Sequence, residues 1–128
     1  MRRLGIAVLL CSLLVRAHAA DAPAPRFVVF FQEWSAALDQ SALTVIQHVS
    51  DYARAHDGVM VHVNAFADPT GSRKANELLT DLRAQVVMDQ LHADGVSDSH
   101  VIGRGHGSVQ FALTSQESRR VEISFAGQ

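Results

Sequence analysis

Two hydrophobic periods run along the chain. Phe27-Val28-Val29-Phe30-Phe31 is β-branched and aromatic with no polar alternation, which predicts a strand covered on both faces. Ala42, Val45, Ile46, Val49 and Ala53 then recur at helical spacing behind Asp39, a natural cap, and Gly58 closes that helix. From Val59 to Phe66 valines alternate with other residues, the pattern of a second strand. Asp68-Pro69-Thr70-Gly71 reads as a turn. A second helix is predicted from about Ser72 to His92, with Ala75, Leu78, Leu79, Leu82 and Val86 toward the core and Gly95 near its end. His100 to Arg104 and Arg120 to Phe125 supply two last strands, joined by a loop containing Gly105 and Gly107. The order β-α-β-α-β-β predicts an α+β fold, a two-layer sandwich with helices against one sheet. The pattern does not contain the order of the strands.

The N-terminus follows a different logic. Arg2 and Arg3 precede an almost wholly apolar run from Leu4 to Val15, and Ala17-His18-Ala19 has the small-x-small form that signal peptidases accept. Residues 1–19 are expected to be a cleaved signal peptide, the apolar run being too short for a bilayer core of about 30 Å. Residues 20–26, with Pro23 and Pro25, form a short extended leader, and 27–125 form one domain. Cleavage removes Arg2, Arg3, Arg16 and Cys11, the only cysteine, so the exported chain has no disulfide and is more acidic than the full-length charge of -2. An acidic chain argues against nucleic acid as a partner, since a phosphate backbone calls for a concentrated basic face.

The chemistry gathers between Asn64 and Ala84. Asp68 stands where the second strand leaves the sheet. Asn76, Thr80 and Arg83 follow at i, i+4 and i+7, which places them within about 60° of one another on the second helix. They form a polar stripe beside the apolar one. A carboxylate and a guanidinium a few ångströms apart, flanked by an amide and a hydroxyl, suit a zwitterion. The carboxylate accepts from an ammonium, and the guanidinium grips a carboxylate through two parallel bonds. The same residues also fit a plain turn-opening Asp and a solvated helical Arg.

Asp68-x2-Gly71-x4-Asn76-x2-Leu79-x3-Arg83-Ala84, followed by Val87, Leu91, Gly95-Val96 and the closing Arg119-Arg120-Val121-Glu122-Ile123, resembles the OmpA-like domain family. The resemblance covers roughly residues 27–125 and implies non-catalytic binding of periplasmic peptidoglycan. Asp68 and Arg83 would clamp the amino and carboxylate groups of the stem peptide's diaminopimelate. Thr70 and Asn76 would flank them, and Arg119 or Arg120 would support the site. In a strand two consecutive side chains face opposite ways, so only one of the two arginines can serve the pocket.

The chain departs from the family pattern at several places. Ala65-Phe66-Ala67-Asp68 stands for Gly-x-Thr-Asp, Gln32-Glu33-Trp34-Ser35 replaces pocket-shaping Asp or Asn residues, Ser118 replaces an Asn, and the loop from Gly107 to Arg119 is shorter. These departures keep a second reading open: the same fold without wall binding, serving as a periplasmic protein-interaction module, to which Trp34 and Phe66 would contribute. An outer-membrane or other envelope protein is the partner such tethering would need. No cofactor is expected. The histidines, including His62, His100 and His106, show no H-x-x-x-H or H-E-x-x-H spacing, so no metal is expected. Ser108 and Ser115 near His106 lack the G-x-S-x-G elbow of a hydrolase, and Gly103-Arg104-Gly105-His106-Gly107 follows a strand without opening a helix.

Overall fold

The computed structural model describes residues 22–108 and 114–127. The expected signal peptide lies outside the described residues. The elements run β1 (Phe27–Phe30), α1 (Gln40–Ala55), β2 (Met60–Ala65), α2 (Arg73–Ala93), β3 (Val101–Gly105), α3 (Ser115–Ser118) and β4 (Arg120–Ala126), with one 3-10 turn at Asp98–His100. The expected β-α-β-α-β-β order holds, with α3 inserted in the last connection.

The sheet has the order β1-β4-β2-β3. β4 lies antiparallel between β1 and β2, with Val29 opposite Val121 and Val63 opposite Ile123. β2 and β3 pair in parallel, joined by α2 as a crossover helix. The connection from β1 through α1 to β2 leaves a gap that the last strand fills, a split β-α-β unit. Val29, Val61, Val63, Ala65, Val121 and Ile123 face one side of the sheet and form a single core with Ile46 and Val49 of α1 and Ala84, Val87 and Leu91 of α2. Asp39 caps α1 by accepting from the Ala42 N–H at 2.8 Å, as its position predicts.

β1 corrects the expectation of a strand covered on both faces. Val28 and Phe30 are exposed, because β1 is an edge strand and both helices lie on the other side of the sheet. The larger correction concerns α2. Leu78 and Leu82, expected in the core, are 58% and 53% exposed. The buried face carries Asn76, Thr80, Arg83, Ala84, Val87 and Leu91 instead. The first half of that face is polar because three connections converge on it and present backbone groups that need partners. Gly105 shows how tightly the helix sits: a Cβ there would strike the backbone of Thr80 and Asp81.

α3 went unread in the pattern, although Thr114-Ser115-Gln116-Glu117 carries its signal. Thr114 Oγ1 accepts from the Glu117 N–H at 3.1 Å and donates to the Glu117 carboxylate at 2.9 Å. This single turn delivers Arg119 to the threshold of β4.

Candidate functional site

At the end of β2 the chain stays buried through Phe66, Ala67 and Asp68. The Phe66 N–H donates to Arg120 O at 2.8 Å and the Ala67 N–H to Gly107 O at 2.9 Å, so Asp68 leaves the sheet from a fixed point. Its carboxylate is fully engaged on one side. Oδ1 accepts from the Thr70 N–H at 3.1 Å and from the Thr70 hydroxyl, and Oδ2 accepts from Arg119 Nη1 at 3.0 Å. Burial pushes the Asp68 pKa up, but the hydrogen bonds from Thr70 and Arg119 outweigh it, and the net shift is below the ordinary value.

Asn76 holds the turn. Its Nδ2 donates to Thr70 O at 2.9 Å, to Ser108 Oγ at 2.6 Å and, more weakly, to Asp68 O at 3.3 Å. Ser108 in turn donates to Asp68 O at 3.0 Å. Thr80 Oγ1 accepts from the Gly107 N–H at 2.9 Å, tying the exit of β3 to α2. Nothing in the spacing marks Ser108, since its partners lie 32 and 40 residues away.

Arg83 is wholly buried, contrary to the plain reading of a solvated helical arginine. Nε donates to Ser35 O at 2.8 Å and Nη2 to Gln32 O at 2.9 Å, so the guanidinium clasps the turn after β1. Its Cζ also lies 5.1 Å from the Phe31 ring centre. Nη1, equally buried, has no partner. Desolvation, and next the charge of Arg119, lower the Arg83 pKa to about 10, while Asp68 opposes the shift; the side chain stays cationic at neutral pH. An unpaired cationic donor in the interior is costly, and its natural complement is an anion.

Glu33, Trp34, Ala67, Asp68, Thr70, Asn76, Leu79, Arg83 and Arg119 surround one pocket. The structure therefore brings five of the six expected site residues together: Asp68, Thr70, Asn76, Arg83 and Arg119. Arg120 is not among them. Its guanidinium stacks 4.4 Å over Phe66 and its Nε donates to Glu122 at 2.8 Å, on the other face of the sheet. Phe66, sandwiched between Arg120 and His106, does not line the pocket either. The charge partner of Asp68 is Arg119, and Arg83 spends its other nitrogens on backbone carbonyls.

Among the described residues no three His, Cys, Asp or Glu side chains gather as metal ligands. Likewise, no helix among them is long and apolar enough to cross a membrane.

A split β-α-β sheet under two helices is a fold that solved structures share. The peptidoglycan-associated lipoprotein from Burkholderia pseudomallei superposes with a TM-score of 0.71 at 20% identity, covering 78% of this chain and 90% of that one. The OmpA-like domain of FopA1 from Francisella tularensis gives 0.72 at 20% identity, over 77% and 70%. The C-terminal domain of Helicobacter pylori MotB gives 0.70 at 25% identity, over 79% and 84%. The OmpA family model matches residues 30–123, and the chain belongs to that family. The peptidoglycan-binding protein ArfA of Mycobacterium tuberculosis is 32% identical over 101 residues, 74% of this chain. That match spans 31% of the length of ArfA.

Proposed function

We propose that this chain binds peptidoglycan non-covalently in the periplasm, after export by the signal peptide at residues 1–19, and that its ligand is the diaminopimelate of the stem peptide. One observation carries the reading: a buried guanidinium with an unpartnered nitrogen shares a pocket with a carboxylate. Nη1 of Arg83 takes the ligand carboxylate. Oδ2 of Asp68, which accepts one bond from Arg119 and has a lone pair to spare, takes the ammonium. Thr70 and Asn76 hold the turn, and Arg119 keeps the Asp68 carboxylate ionised and aimed. Nothing in this set performs bond chemistry; the site holds. The names of ArfA and of the lipoprotein from B. pseudomallei support the same ligand class.

Co-sedimentation with purified sacculi tests the proposal. Wild-type protein pellets with the wall, free meso-diaminopimelate competes it off, and Arg83→Ala stays in the supernatant. The second reading, a fold kept as a protein-interaction module with an envelope protein as partner, draws on the exposed Leu78 and Leu82 along α2. Failure of the wild type to pellet leaves that reading in place of the first.

A further inference from the structure

Trp34 stands in a turn closed by the Ser35 N–H donating to Gln32 O at 3.2 Å. Both carbonyls held by Arg83, those of Gln32 and Ser35, belong to the same turn. Trp34 has φ 52, the only positive value for a non-glycine among the described residues. A bulky side chain at a turn position that Gly or Asn ordinarily fills is a strained choice. From there the indole reaches the turn after β2, where its Cη2, Cζ2 and Cζ3 occupy the space a Cβ of residue 71 would need. Gly71, itself at φ 83, leaves the room.

The indole thus spans the two loops that flank the carboxylate and the guanidinium, and Trp34 is 52% exposed. The pocket that the indole helps to line has an interior of about 10 Å³, room for one water. A carboxylate brings three heavy atoms, each close to the size of a water. That exceeds the interior of the pocket as it stands, and Nη1 of Arg83 is itself closed to solvent.

We infer that Trp34 is a gate to the proposed peptidoglycan site: the indole must lift from Gly71 before a carboxylate reaches Arg83. The inference rests on the binding reading above. Its energetic consequence is a tax on affinity, because only the fraction of molecules with the indole lifted is competent to bind. The backbone around the gate stays put, since Arg83 holds the turn at Gln32 and Ser35.

The test compares association rates of wild type, Trp34→Phe and Trp34→Gly with an immobilised stem peptide that carries diaminopimelate. Glycine removes the indole and accepts the positive φ without strain. Trp34→Gly is expected to associate about tenfold faster than wild type, with Trp34→Phe between them. In the wild type, whose sole tryptophan is Trp34, emission moves to longer wavelength as the peptide saturates the site. Binding by the variants alone supports the gate in its strongest form. Equal association rates, or a slower Trp34→Gly, overturn the gate and leave the binding reading standing. If neither wild type nor variants bind, both fall together.

Discussion

Arg119 Nη1 meets Asp68 Oδ2 at 3.0 Å across 51 residues of sequence, and both side chains are largely withdrawn from solvent. The last connection of the chain therefore completes a site that the β2–α2 turn begins. Asp68 is consequently a structural residue as well as a proposed ligand group, and its loss is felt in folding. Asp68→Ala breaks charge-assisted bonds worth about 1.5–3 kcal/mol each and strands the Arg119 guanidinium. A fall in stability of about 2 kcal/mol or more by chemical denaturation is expected, together with loss of sacculus binding.

Acid should expose the same relationship. The Asp68 pKa is held below its ordinary 3.8: burial raises it, and the Thr70 and Arg119 hydrogen bonds lower it by more. A carboxyl with a depressed folded pKa contributes stability that is fully present above the unfolded value. It is lost as pH falls through the folded one. Between pH 5 and 7 this contribution is flat, and below about 3.8 it declines. Asp68→Asn should show a shallower acid limb than wild type in denaturant melts taken from pH 5 to pH 2.

Arg83→Lys separates charge from geometry. A lysine keeps the cation but cannot serve Gln32 O, Ser35 O and a ligand at once. Binding to sacculi should be lost, stability should fall by about 2 kcal/mol, and amide exchange in residues 32–35 should accelerate. Arg120→Ala is the counterpart: its guanidinium lies over Phe66 on the other face, so wall binding should stay at the wild-type level.

The two sides of α2 should respond oppositely to truncation. Leu91→Ala opens a cavity in the core and should cost about 2–5 kcal/mol. Leu82→Ala, on the exposed side, should stay within about 0.5 kcal/mol. Thermal melts of the two variants decide whether the apolar stripe at Leu78 and Leu82 faces water.

Gly105→Ala places a methyl against the backbone of Thr80 and Asp81, where neither helix nor strand can yield cheaply. Overpacking of this kind costs about 1–3 kcal/mol. Because Thr80 also accepts from Gly107, wall affinity should fall along with the melting temperature.

By itself the sequence determined the types and order of the four strands and two long helices and the cap of α1, because these depend on contacts within a few residues. Asp39 before α1 and the alternation of β2 needed no knowledge of the rest of the chain. It also determined that Asp68, Asn76, Thr80 and Arg83 lie together, since one turn and the first half of a single helix carry them. Only the tertiary structure decided that β4 inserts between β1 and β2, and much follows from that insertion. It sends Arg119 to Asp68 and Arg120 to Phe66, and it leaves β1 an edge strand. It also settled which stripe of α2 is buried. Hydrophobic periodicity favours Leu78 and Leu82, but loops from distant parts of the chain converge on Asn76, Thr80 and Arg83 with backbone groups that need partners. A buried amide or carbonyl without a partner costs more than an exposed leucine, so the polar stripe went inside.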